Sequence, residues 1–455
     1  MAPFEKFHFT SLDEMREMIA KLGVNLPLSD DLSPLQKNVA IGGKTAPNAL
    51  AVLPMEGCDS QEDGSPSELV LRRYKRLSGG GAGLLWLEAC AVTNEGRANE
   101  LQMYLHRGNL IKFAELNDLI SREAQSRHGH RPVTILQLTH SGRYSRPVGH
   151  TPAPLVPQHD PLLDPRVGLS PEAPVVTDDY LDELQEKYVA CALLAQEAGF
   201  DGVDIKACHR YLVSELLASH TRPGKYGGSF ENRTRFLLNV IDKVRKAVGR
   251  DFIIACRFNV FDAHPYPYGF GVDKEDCWHY DLKEPLRLVA ELVKHGVQLL
   301  SNSAGNPYFR FPQVTRPFDL PALGGEIPDE HPLESVARLF LLSEQVQKAA
   351  GSVPVVGNGY TWLRQFFPYA GAANLQAGRI SLVGMGREAF AYPDAPEDVF
   401  TKGVLDPGKV CIACSKCTQI MRDHGRTGCV VRDRDVYLPL YTLYRQEAED
   451  RNHHI

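Results

Sequence analysis

Nowhere in the 455 residues is there an apolar run long enough to cross a bilayer. The opening MAPFEKFHFTSLDEMREMIAKLG interleaves acids and bases where a secretion signal needs an unbroken apolar core. A cytoplasmic protein with no membrane partner is therefore expected. Positive charge is not in excess either: 50 Lys and Arg against 56 Asp and Glu leave a formal net charge of -6 and a pI near 6.3. This removes the electrostatic case for nucleic acid as a partner. Past Cys411 no G-x-G-x-x-G follows a strand, so a dinucleotide fingerprint is missing from that part of the chain.

What is present is a globular composition, 43% hydrophobic and 23% charged, with ample material for a core. Of the ten cysteines, Cys58, Cys90, Cys191, Cys208, Cys256 and Cys277 are scattered singly. Cys411, Cys414, Cys417 and Cys429 crowd one segment, which in a reducing compartment points to a metal or cluster site rather than to disulfides.

After an amphipathic helix at Ser11–Leu22 and a connector to about residue 40, short apolar runs alternate with helix-period segments. The strands are expected at 49–53, 83–87, 133–138, 202–205, 252–258, 297–300, 353–356 and 380–383. Helices are expected at 67–77, 111–127, 178–198, 230–248, 282–294, 333–349 and 361–376. Eight such units suit a closed (β/α)8 TIM barrel over residues 41–395; a doubly wound open sheet would stop earlier. Residues 1–40 form an N-terminal extension and 396–455 a short cysteine-rich C-terminal one.

Barrel active sites lie at the C-terminal strand ends. In the fourth strand Val203 and Ile205 should face the outer helices, while Asp204 and Lys206 face inward. Lys206, His209 and Tyr211 then leave one strand end together as proton-handling groups. The seventh and eighth strands end in Gly357-Asn358-Gly359 and Gly384-Met385-Gly386-Arg387, a glycine-rich pair suited to a phosphate.

Pro54-Met55, Glu88-Ala89, Gln137-Leu138-x-His140-x-Gly142-Arg143, Tyr226-Gly-Gly-Ser-x-Glu-Asn-Arg233, Arg257 and Gly386-Arg387 together resemble the old yellow enzyme family of FMN-dependent NAD(P)H:flavin oxidoreductases. The resemblance implies flavin contacts at Pro54, Met55, Glu56, Ala89, Gln137 and Arg257. It places the phosphate near Asn358, Gly359, Gly386 and Arg387. The family's proton-handling motif has His, or His and Asn, three residues apart and a Tyr two residues later; His209 and Tyr211 match it and Lys206 departs. A lysine can still stabilise a developing enolate, with a full positive charge, and Arg210, where the family usually has Gly, is expected to add charge at the mouth. Glu56 stands where relatives with covalent flavin carry Cys, so a noncovalent FMN is expected.

On spacing alone Cys411-x-x-Cys414-x-x-Cys417 with remote Cys429 admits a 4Fe-4S cube or a four-cysteine zinc site, zinc more usually taking two separated pairs. The segment resembles the cluster-binding segment of the family's iron-sulfur branch, which includes 2,4-dienoyl-CoA reductase and trimethylamine dehydrogenase. That implies a 4Fe-4S cluster relaying electrons. The expected reaction is reduction of an activated C=C bond in a small-molecule unsaturated substrate, with Tyr211 as proton donor and Lys206 and His209 orienting the substrate. The alternative is an amine or C–H dehydrogenase passing electrons out through the cluster, against which Lys206 argues by repulsion of cationic amines. A barrel that serves only electron transfer would require loss of the flavin site. NADH, NADPH or a separate electron-transfer protein is expected as electron partner, and the resemblance implies a homo-oligomer.

Overall fold

A strand covered on both faces tolerates only apolar or internally bonded residues. Every residue of Leu84–Ala91, Val133–Thr139 and Gly202–Ile205 is accordingly buried. The computed structural model describes residues 3–309 and 314–453. Eight parallel strands close one barrel in sequence order: β1 (Leu50–Val52), β2 (Leu84–Ala91), β3 (Val133–Thr139), β4 (Gly202–Ile205), β5 (Ile253–Phe261), β6 (Leu299–Ala304), β7 (Val355–Gly357) and β8 (Leu382–Met385). Val383 of β8 pairs with Leu50 of β1, which seals the ring and excludes the open sheet.

The two faces of each strand serve two cores. Val203 and Ile205 join the outer one, with Leu181 and Leu184 of helix Asp178–Glu197 and Phe236 and Val240 of helix Phe230–Val248. Leu84, Trp86, Ile135, Ile253 and Leu299 fill the inner one. Its floor is completed by Ile41 and Ala46 from a hairpin, Val39–Ile41 paired with Lys44–Ala46. That hairpin replaces the expected plain connector. Its mark in the sequence is the two-residue Gly42-Gly43 turn, with Gly42 at φ 56°.

Several helices begin where a side chain caps them. Ser11, Ser67, Thr177 and Ser229 each accept a backbone N–H in the first turn. The expected single helix over 361–376 is broken instead. Arg364 leaves helical geometry at φ 50° and ψ -129°, so a 3-10 stretch, Tyr360–Phe366, precedes the α-helix Phe367–Gln376.

Beyond the barrel the tail carries helices Ala395–Lys402, Lys416–Arg422 and Arg434–His453. It is tied to the body by Asp433, which takes both Arg72 and Arg76, and by Thr427 N–H donating to Gly57 C=O at 2.6 Å. Among the described residues no helix is long and apolar enough to cross a membrane.

Candidate active site

Above the apolar floor the barrel interior turns polar. Asp204 accepts from Gln137 Nε2 at 2.6 Å, Trp86 Nε1 at 3.0 Å and the Arg257 backbone N–H at 2.8 Å. Burial, offset in part by these donors, pushes its carboxyl up to about 6.

A cavity opens over this layer, walled by Leu53, Pro54, Met55 and Glu56 of the first strand end and by Arg257, Ser303, Asn358, Gly359, Gly386 and Arg387. Ala89 and Gln137, also expected as flavin contacts, lie off that wall. Ala89 is fully buried on β2 and Gln137 is engaged by Asp204. Arg257 Nε and Arg387 Nη1, together with both amide atoms of Asn302, are buried without a hydrogen-bond partner in the described structure. Unpaired buried donors are costly, so a ligand rich in acceptors fits here. Gly359, at φ 95°, takes a turn that side chains disfavour, and a Cβ on Gly386 would meet only Met55 Sδ at 3.7 Å. The pair leaves room for a phosphate.

The β4 end reaches the rim through a tight turn in which His209 (φ 64°) and Arg210 (φ 60°) are both left-handed, at about 1–2 kcal/mol each for a side-chain-bearing residue. This is why glycine suits position 210. Arg210 is held there by ion pairs, its guanidinium contacting Asp262 at 3.1 Å and Asp160 at 3.4 Å. It is buried beneath the turn and adds no charge at the mouth, contrary to the expectation from sequence.

Lys206 Nζ meets Glu56 Oε1 at 2.9 Å and lies 3.9 Å from the centre of the Tyr211 ring. The lysine charge is thus compensated, not free as the sequence alone suggested. Tyr211 Oη lies 3.4 Å from both Glu56 oxygens and 3.0 Å from Tyr308 Oη. Burial, reinforced by the Glu56 charge, holds the Tyr211 phenol well above its ordinary range, so it keeps its proton. His209 accepts or donates at 3.0 Å with Ser303 Oγ, while its backbone N–H donates to Asn259. Burial, with Arg257 and Lys206 adding, holds its imidazole well below the ordinary value, and the ring is neutral.

Several wall residues were not anticipated. Arg316 sits in the long loop after β6, its guanidinium lowered to about 10 by burial and by neighbouring Arg387. Cys417, Thr418, Met421 and Thr427 come from the tail, so the cysteine segment forms one side of the cleft. The isolated Arg316-Pro317 dipeptide carries no period or motif, and only the fold brings it here.

The family-specific Tyr226–Arg233 block does not reach the cleft; it braces the barrel. Tyr226 accepts from Gln185 at 2.6 Å, and Arg233 Nη1 donates to Leu217 C=O at 2.5 Å.

On the far side of this wall Cys411, Cys414, Cys417 and Cys429 line one small space together with Arg387 and Arg432. Ala413 and Ser415 are left-handed (φ 50° and 56°), which curls the loop so that its three thiols turn inward. Backbone N–H groups are aimed at sulfur: Ala413 at Cys411, 3.4 Å, and Arg432 at Cys429, 3.3 Å. Among the described residues no three His, Cys, Asp or Glu groups converge as ligands of a single ion would. Cys417 and Arg387 line both this cavity and the cleft.

The sequence profile of the NADH:flavin oxidoreductase / NADH oxidase family matches residues 34–270. The chain belongs to that family. The barrel is the flavoprotein scaffold expected of such a member. NADH oxidase of Thermoanaerobacter brockii is 28% identical over 380 residues, 82% of this chain and 52% of that protein. The chain thus spans about half the length of that relative. A 2-naphthoyl-CoA reductase bound to 2-naphthoyl-CoA shares the fold at TM-score 0.69 and 22% identity, covering 89% of this chain and 57% of that one. The 6-hydroxypseudooxynicotine amine oxidase of Pseudomonas geniculata does so at TM-score 0.66 and 21% identity, covering 89% and 54%. Reductases and an amine oxidase therefore stand side by side among its structural neighbours.

Proposed function

We propose that the chain is an FMN-dependent reductase of activated C=C bonds in enones, enoates or enoyl thioesters. Residues 41–395 would hold the flavin and 396–455 a 4Fe-4S cluster that relays electrons from NAD(P)H or a separate electron-transfer protein. The observation that carries this reading is the grouping of protonated Tyr211 and Lys206 around Glu56, which with neutral His209 lines a cleft whose wall offers unpaired Arg257 and Arg387 donors.

Pro54, Met55, Glu56, Arg257, Asn358, Gly359, Gly386 and Arg387 would hold FMN, with Gln137 and Ala89 behind them. When bound and reduced, FMN supplies hydride chemistry. The chain's own contribution is to bind the substrate oxygen through His209 and Lys206, which favours charge developing there. Tyr211, still protonated, donates to the other carbon, and Glu56 is placed to hold Lys206 in position and to face the phenol. Burial pushes the Cys411, Cys417 and Cys429 thiols toward neutrality, Cys429 up to about 11. A cation centre reverses that preference. Three cysteines at Cys411-x-x-Cys414-x-x-Cys417 with remote Cys429, all lining one space, support a cube over a zinc ion, which more usually takes two separated pairs. The four thiols of the segment form no disulfide, as a reducing compartment would keep them. The amine-oxidising alternative is supported by the amine oxidase neighbour. It is opposed by the uncompensated arginines around the cleft, which repel cationic amines.

Anaerobic purification with absorption spectra and metal analysis tests the cofactors. Flavin bands, a broad iron-sulfur shoulder and about four irons per chain are expected. Stopped-flow mixing of the reduced protein with 2-cyclohexenone tests the reaction. Tyr211→Phe should slow flavin reoxidation by about 100-fold while leaving flavin reduction intact. A colourless zinc protein, or a reduced flavin indifferent to enones, would sink the proposal.

A further inference from the structure

A second cavity, about 410 Å³, adjoins the flavin cleft and shares Glu56 and Met421 with it. Its inner walls are apolar or aromatic, including Leu163, Val167, Tyr144 and Tyr308. Tyr308, on the wall of this second space, bonds its hydroxyl to that of Tyr211. Glu56, which pairs with Lys206 and faces Tyr211, thus borders both spaces.

Three guanidinium groups line the outer part of that space, those of Arg146, Arg166 and Arg422. Each is held by a neutral partner. Arg146 Nη1 donates to the His424 ring, whose acceptor nitrogen requires an uncharged imidazole, and burial and the nearby Arg146 hold that ring down to about 3. Arg422 Nη2 donates to Pro307 C=O at 3.0 Å, and Arg166 lies over the Phe309 ring at 4.6 Å. Among the described residues none of the three forms an ion pair. The carboxylates that come nearest are already engaged. Asp423 takes Arg445 at 2.8 and 3.0 Å, Asp164 takes Arg143, and Glu56 takes Lys206. Elsewhere in the same molecule part-buried or buried arginines such as Arg73, Arg143 and Arg210 each meet two or more carboxylates.

Three uncompensated guanidinium forks on one wall, none of them lysine, match the planar oxygens of a carboxylate or phosphate. We propose that this second cavity is an anion-binding subsite that holds the carboxylate or phosphate tail of the molecule reacting in the flavin cleft. The identity of that molecule as an unsaturated substrate rests on the function proposed above; the anion site itself does not.

Calorimetric titration of the intact flavin-loaded protein with inorganic pyrophosphate, and separately with glutarate, tests the site without turnover. Binding of at least one is expected, with a Kd that rises tenfold or more in Arg146→Gln and in Arg166→Gln. Binding of pyrophosphate alone assigns a phosphate tail, and of glutarate alone a carboxylate. Arg166 is exposed and its side chain lies over the Phe309 ring, so its replacement disturbs little packing, and an unchanged flavin spectrum reports that each variant has folded. Failure of both probes to bind, or affinities that ignore both substitutions, overturns the proposal. A reduced flavin that 2-cyclohexenone does not reoxidise would defeat the ene-reduction reading instead, and would leave a positive titration standing.

Discussion

Beneath the β4 turn, Arg143 meets Asp164 and Glu215, while Arg210 meets Asp160, Glu215 and Asp262, all of them nearly shut off from water. A few residues away Arg257, Arg316 and Arg387 border the cleft and form no ion pair among the described residues. Both sets are cationic and largely withdrawn from solvent, yet only the first brings its own anions. A compensated buried arginine holds the chain in place; an uncompensated one facing a cavity is poised for a ligand. Charge counting at the mouth therefore has to follow partners, and Arg210 shows how far a residue's type alone misleads.

The contrast can be broken most forcefully from its structural side. Glu215→Ala leaves two buried guanidinium groups short of a partner and should cost about 3–5 kcal/mol of stability. Thermal unfolding of the flavin-free protein would record it, and a loss below about 1 kcal/mol would mean that the network is not what anchors the turn. On the other side, Arg387→Ala removes a donor with no anion of its own. FMN affinity should fall by about 10- to 100-fold, read by fluorescence of released flavin, without a comparable loss of flavin-free stability. Equal damage to stability from both variants would erase the distinction.

The smallest expected effect concerns Asp204, buried beneath both sets. Its folded value near 6 lies above the ordinary 3.8, so the folded state holds the proton more tightly than the unfolded one. Stability contributed by this group is then present below about pH 4 and lost as pH rises toward about 6. Asp204→Asn should flatten that part of the unfolding-temperature profile relative to the parent protein. A profile that keeps its slope would place the titration elsewhere.

How much of this was legible in the sequence differs by the range of the contact. Strand alternation and apolar runs are local, so all eight barrel strands are foreseen, and helix Phe230–Val248 matches residue for residue behind its Ser229 cap. The hairpin at Val39–Ala46 is short, and its strands are too brief to show a period. The strand ends carried Lys206, His209 and Tyr211 to one place, because direction along a strand is also local. What stayed hidden was pairing across the ring. Lys206 and Glu56 are 150 positions apart, and no spacing rule links them. Arg316 lies in an irregular loop, and the withdrawal of Arg210 depends on Asp160 and Asp262 from other loops.

The wall shared between cleft and tail has a consequence for how the protein is built. Cys417, Thr418, Met421 and Thr427 face the same space as Pro54 and Arg387, and Thr427 is clasped to Gly57 beside them. The barrel alone is a basin with one side missing; the last few dozen residues close it. Assembly of the two regions is thereby coupled, since whatever orders the cysteine loop also completes the chamber next door.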